Sequence, residues 1–97
     1  MVAVKRMEIV ADATQLEPLV EILRSCGAPG WTILKNVAGF GGRGVRDADQ
    51  PTDVLGNVMI LVACDETLAT TIVDRVRPIL TRFGGICLVS DAQSAKH

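Results

Sequence analysis

The chain has 97 residues, enough for one domain spanning 1–97, and its ten Lys+Arg against eleven Asp+Glu leave a net charge of −1. That balance excludes a broadly basic face, and with it a general affinity for nucleic acid or anionic lipid. Hydrophobic residues make up 48% of the chain, yet a domain this small leaves roughly a third or more of its surface in water. Apolar side chains must therefore reach the outside of a single copy, and oligomerisation is the simplest outlet.

Residues 2–10, Val-Ala-Val-Lys-Arg-Met-Glu-Ile-Val, have the β-branched content and rough alternation of a first strand. Thr14-Gln15-Leu16-Glu17 has the form of a capping box, and Leu16, Leu19, Val20 and Leu23 follow at helical spacing. Cys26-Gly27 predicts the helix end, and Ala28-Pro29-Gly30 a turn into a second strand, Trp31–Val37. Residues 38–53 hold four of the nine glycines and show no apolar periodicity. A loop of that length in a small domain commonly carries function. A third strand is predicted over Val54–Cys64, and Asp65 caps a second helix with an apolar stripe of Leu68, Ile72, Val76 and Ile79/Leu80. Phe83-Gly84-Gly85 breaks it, Ile86–Ser90 reads as a fourth strand, and the polar tail 91–97 is expected to be loosely held.

This order predicts an α+β, ferredoxin-like βαββαβ fold, with two helices on one face of a four-stranded antiparallel sheet. The other face then ought to be polar, giving strict alternation. Instead, Val58, Ile60 and Val62 point one way in strand three while Met59, Leu61 and Ala63 point the other, and Ile86-Cys87-Leu88-Val89 repeats the pattern. A second copy of the chain is the expected cover.

The longest apolar run, Val58–Cys64, is too short for the ~20 residues of a membrane helix. Met1–Arg6 reaches its charges before any signal-like stretch, so no targeting segment and a cytoplasmic location are expected. Cys26, Cys64 and Cys87 are widely spaced among apolar neighbours, which suits buried thiols better than a disulfide framework or a zinc site. His97 is the only histidine, so a His-based cluster within one chain is excluded. Gly39-Phe40-Gly41-Gly42-Arg43-Gly44 fits G-x-G-x-x-G after a strand, but Val45–Pro51 carries a proline and no helical stripe, so the dinucleotide reading fails. Walker A fails for want of Gly-Lys-Ser/Thr. Clustered glycines can still aim backbone N–H groups at an anion, and Arg43 and Arg46 add guanidinium forks suited to phosphate or a carboxylate-like anion. The same spacing equally suits a flexible loop with two solvated arginines. Gly84-Gly85 by itself reads as a helix C-cap leading into a strand. Asp47, Asp49 and Asp53 lack the register and closing Glu of a calcium loop.

Gly30-Trp31-Thr32, then Gly39, Gly41, Arg43, Val45 and Arg46, then Gln50-Pro51, and later Gly85-Ile86, resemble the PII-like signalling proteins. The likeness runs from strand one to about Asp91 and is nearest to the branches that regulate bicarbonate transport or accompany carboxysomes. It implies a non-enzymatic homotrimer with no catalytic residue, no metal ligand and no covalently bound cofactor. Residues 38–53 correspond to the T-loop, through which Val45, Asp47, Asp49 and Gln50 would contact a partner protein, such as a transporter or a carboxysome-related protein. Adenine nucleotides sit in clefts between subunits in this family. By position, Gly39, Gly41, Gly42, Arg43 and Arg46 would cradle phosphates, and Gly84 and Gly85 would add backbone donors. Thr32, Ile33 and Leu34 would line the adenine or ribose side. Bicarbonate can occupy the T-loop base in carboxysome-linked relatives, and Arg43 or Arg46 suits that anion.

The departures are informative. The chain has no tyrosine, which excludes uridylylation of a T-loop tyrosine as in nitrogen-sensing PII proteins. Thr81-Arg82-Phe83-Gly84-Gly85 is poorer in glycine and lysine than the family's phosphate loop, which favours ADP or AMP over ATP and leaves cyclic AMP as a further candidate. The cysteine-bearing extension of the bicarbonate-transport relatives is not seen after Gln93, so redox control through such a tail is not expected. Two other function classes stand beside the regulator. A metal-responsive trimer like the CutA proteins would need ligands converging near the loop. A small enzyme would need a nucleophile paired with a base, and ferredoxin-like folds do host many activities.

Overall fold

Met7, Ile9 and Ala11 fall by alternation on one side of the chain, and burying that side makes Val2–Asp12 the long central strand β1. The computed structural model describes residues 1–41, 44–46 and 56–95, with backbone alone at 39–41 and 44–46. After β1 come a 3-10 turn at Ala13–Gln15, helix α1 at Leu16–Ser25, strand β2 at Thr32–Val37, and a small hairpin of β3 (Gly39–Gly41) and β4 (Gly44–Arg46). Strand β5 (Asn57–Cys64), helix α2 (Glu66–Phe83) and strand β6 (Gly85–Ser94) complete the chain.

The main sheet runs β2-β5-β1-β6 with every neighbouring pair antiparallel. This is the split βαβ order of the ferredoxin-like fold, in which β5 slots between β1 and β2. Both helices cover one face. Leu19 and Leu23 of α1 and Ala69, Ile72 and Val76 of α2 meet Met7, Ile9, Ile60, Val62 and Cys64 in one cluster. The i, i+3, i+7 spacing of the α2 residues keeps them on one stripe. The predicted stripe shares Ile72 and Val76. Leu68, Ile79 and Leu80 pack at its margin, and the deepest additional contact is the small Ala69. Among the described residues no helix is long and apolar enough to cross a membrane.

Three local expectations need correction. The Thr14–Glu17 capping box does not form. Asp12 accepts from the Thr14 N–H at 3.0 Å and from its hydroxyl at 2.8 Å, which builds the 3-10 turn, and Gln15 at the head of α1 makes no side-chain cap. A carboxylate at the strand end holds the turn more firmly than a hydroxyl, so Thr14 becomes a donor rather than a cap. The loop 38–53 is not wholly irregular, because it contains the β3–β4 hairpin. The segment 91–94 is not loose: it continues β6, where Asp91–Ser94 pair with Lys5–Val2. Lys5 holds that extension, its ammonium donating to Asp91 and lying 3.5 Å from Glu66 at the head of α2. The Asp91 contact, then the two carboxylates' charge, raises the Lys5 pKa.

Asp65 caps α2 as predicted, accepting from the Leu68 N–H at 2.8 Å. At the other end Gly84, with φ of 87°, donates its N–H to the Leu80 carbonyl at 2.9 Å. Gly85 follows with φ of 131°, and a Cβ there would lie 2.4 Å from the Val10 carbonyl oxygen and 2.9 Å from Leu80. The helix can therefore pass straight into a strand pressed against β1 only with glycine at this position. Replacing Gly85 with alanine is expected to cost about 1–3 kcal/mol, read as a lower denaturant midpoint at fixed protein concentration with an unchanged m value.

Burial pushes the Cys64 and Cys87 thiols up, and the neighbouring Asp65 carboxylate adds to the effect at Cys64. Both therefore stay protonated in the folded chain at a pH where the unfolded chain's thiols, with an ordinary value of 9.0, ionise. Above that pH the unfolded state holds fewer protons, so this contribution, complete below it, is lost as pH rises through the raised folded values. Denaturant midpoints at pH 7, 9 and 10 are expected to fall, and to fall less in the Cys64→Ala, Cys87→Ala double variant.

Candidate functional site

The sheet register gathers several glycine-rich segments at one end. Val37 at the close of β2 pairs with Asn57 at the start of β5, and Asn57 also pairs with Asp12 at the end of β1. The next step along, Ala11 pairs with Gly85 at the start of β6. The Ala13 N–H donates to the Gly56 carbonyl at 3.0 Å and joins the exit of β1 to the entrance of β5. The hairpin base and the Gly84-Gly85 turn thus lie at the same end of the sheet. They also lie on its two outer strands, with β5 and β1 between them, which at strand spacing is roughly 14 Å.

β2 leaves the sheet through a distortion the sequence pattern did not reveal. Its pairing with β5 slips between Leu34 and Val37, and Asn36 within the slip has φ of 59°. A bulge bends an edge strand, and asparagine is one of the few side chains that accept the left-handed region cheaply. The available signal was an Asn next to Lys35 inside an otherwise β-branched strand. Beyond it, β3 and β4 form a separate two-stranded sheet in which Gly39 faces Arg46, Phe40 faces Val45 and Gly41 faces Gly44. The hairpin brings Gly39, Gly41 and Arg46 of the expected anion cradle into adjacent register. Gly42, Arg43, Asp47, Asp49 and Gln50 lie outside the described residues.

The three residues expected on the adenine or ribose side divide between two faces. Thr32 pairs with Leu61 and Leu34 with Met59, so both are exposed on the face the helices leave open. Ile33 pairs with Ile60 and packs against the core, which leaves only its backbone for a ligand. At the other edge, the N–H of Gly84 is already donated to Leu80, so an anion at that turn competes with the helix cap for it.

Two further features were not predicted. A groove of about 330 Å³ lies between α2 and β6, lined by Val73, Val76, Arg77, Leu80 and Thr81 of the helix and by Gly85 and Cys87 of the strand. On the open sheet face, Arg6 and Glu8 form an ion pair at 2.8 Å. Among the described residues no three His, Cys, Asp or Glu side chains converge as metal ligands, and Cys26, Cys64 and Cys87 form no disulfide.

Comparison with solved structures finds the same fold in proteins of matching size. CPII, a nitrogen regulatory PII-like protein from Thiomonas intermedia K12, bound to ADP, AMP and bicarbonate, superposes with a TM-score of 0.89 at 24% identity, covering 97% of this chain and 90% of that one. CPII bound to ADP and bicarbonate gives a TM-score of 0.87 at 26% identity over the same shares of the two chains. A PII-like signalling protein from Thermus thermophilus gives 0.77 at 28% identity, covering 94% of this chain and 88% of that one. No curated protein matches the sequence. The model of the family "Nitrogen regulatory protein P-II" matches residues 4–97, nearly the full length and including both glycine segments, and the chain belongs to that family.

Proposed function

We propose that this protein is a PII-like regulator of inorganic carbon metabolism that acts as a homotrimer in the cytoplasm. It binds an adenine nucleotide, ADP or AMP in preference to ATP, in clefts between copies, with bicarbonate at the base of the T-loop. The observation that carries this reading is the likeness to CPII, a relative of 26% identity whose structure holds ADP and bicarbonate. The fold supports it too, since both glycine segments sit at one end of the sheet yet on opposite outer strands. That arrangement suits a ligand held between neighbouring copies better than one held within a single copy.

In this reading Gly39, Gly41, Gly42, Arg43 and Arg46 surround the phosphates, and Gly85, with Gly84 when its cap yields, offers backbone donors. Thr32 and Leu34 take the adenine or ribose side, and Ile33 contributes through its backbone. Bicarbonate is a small planar anion, and a guanidinium fork meets two of its oxygens at once. The nucleotide controls residues 38–53 only so far as it binds one arrangement of that segment more tightly than another. Arginines that reach phosphate in just one arrangement supply the difference. Val45, Asp47, Asp49 and Gln50 then present or withhold a surface for the partner protein.

Calorimetric titration with AMP, ADP, ATP and cyclic AMP, each with and without bicarbonate, tests the reading. We expect about one ADP or AMP per copy, bound more tightly with bicarbonate and more tightly than ATP. Absence of binding by all four nucleotides overturns it. Replacing Arg46 with alanine is expected to weaken nucleotide binding by about 10- to 100-fold, the effect of losing a charge-assisted hydrogen bond, with sedimentation of the assembly unchanged. An unaltered affinity removes Arg46 from the site.

A further inference from the structure

We infer that the Arg6–Glu8 pair matches one copy of the chain to the next, resting on the assembly proposed above. The open face of the sheet is apolar over Val10, Leu34, Met59, Leu61, Ile86 and Leu88, with Leu34, Ile86 and Leu88 43–54% exposed in a single copy. Its central strand interrupts that surface with one cation and one anion, Arg6 and Glu8, 2.8 Å apart. Alternation along β1 puts both side chains on this face, because Arg6 and Glu8 fall opposite in phase to the buried Met7 and Ile9. Across the strands Arg6 is flanked by Ala63 and Ser90, so the guanidinium stands among short neighbours, while Glu8 is flanked by Leu61 and Leu88.

This pattern selects its occupant. A wholly apolar partner would strip water from two charges and return no polar contact, which is costly. A partner patch of one sign would oppose one member of the pair with a like charge. A second copy presents the same two charges on the same apolar ground, so Arg6 of one copy can meet Glu8 of the next while each also keeps its own partner. In a closed ring of copies the contact repeats as alternating charge. The apolar side chains drive association, and the pair fixes how the copies are matched and how many close the ring. A single polar contact sets register in this way elsewhere, at some cost in stability.

Charge reversal with mixing tests this. Arg6→Glu and Glu8→Arg are made separately, checked for native far-UV circular dichroism, and run in sedimentation velocity alone and mixed at equal concentration. Each variant alone is expected to assemble on the order of 100-fold more weakly than the parent over a dilution series, and the mixture is expected to assemble more tightly than either variant, because two of the three contacts in a mixed ring are again opposite in charge. Assembly by either variant alone as tight as the parent's overturns the inference, as does a mixture that assembles no more tightly than its components, since a pair acting only within its own chain is not repaired by mixing. A parent protein that sediments as a single copy overturns the assembly reading itself. The neutral Arg6→Gln, Glu8→Gln double variant gives an independent test if reversal prevents folding. It is expected to assemble into more than one mass, and a single mass equal to the parent's overturns the role in matching.

Discussion

Two helices cover only one side of a four-stranded sheet, and much of this molecule follows from that limit. The covered side is closed, with Met7, Ile9, Leu19, Leu23, Ile60, Ile72 and Val76 fully buried. The other side carries leucine, isoleucine, valine and methionine in rows across all four strands. Leaving those rows in water forfeits hydrophobic stabilisation of roughly 25 cal/mol for each Å² kept exposed. A domain of this size has little stability to forgo. A second copy laid over the open side would recover that stabilisation, and the cleft proposed for the nucleotide would border the same contact.

The glycine end of the sheet shows how ligand geometry and folding share residues. Gly85 is needed because β6 starts against the Val10 carbonyl, whether or not an anion ever binds. Gly84 ends α2 through the Leu80 carbonyl. The structural reason for both glycines is complete without a ligand, and the ligand role proposed for them uses backbone that the fold has already exposed. At the opposite edge β2 slips at Lys35–Asn36, meets β5 once more at Val37, and passes into a hairpin that forms a separate two-stranded sheet.

Much of the architecture was legible because its signals are local. The Asp65 cap, the α2 stripe around Ile72 and Val76, and the two-sided apolar strand β5 are each written within a few residues. The order βαββαβ followed from them. What escaped depended on partners distant in sequence. The hold of Asp91 on Lys5 spans the length of the chain, so a short polar stretch read in isolation looked like a tail. Asp12 displaced the Thr14 capping box because a strand end and a turn meet there. Of the candidate site, the glycines and arginines were visible as a cluster, but the separation of Ile33 from Thr32 and Leu34 needed the pairing with β5. The Arg6–Glu8 pair emerges only when the register sets it between Leu61, Leu88, Ala63 and Ser90.

The long pairing of β1 with β6 brings Val2 alongside Ser94. Nine steps of that ribbon, at roughly 3.4 Å each, separate this point from the Ala11–Gly85 pair, a distance of about 30 Å. The two strand ends are therefore neighbours at the pole of the molecule remote from the glycine segments. A short peptide can bridge them within one copy, so the chain can be circularly permuted, with new ends opened elsewhere and the sheet kept whole. Such a permuted chain leaves the glycine end of the sheet untouched while it ties β1 to β6 at the opposite pole.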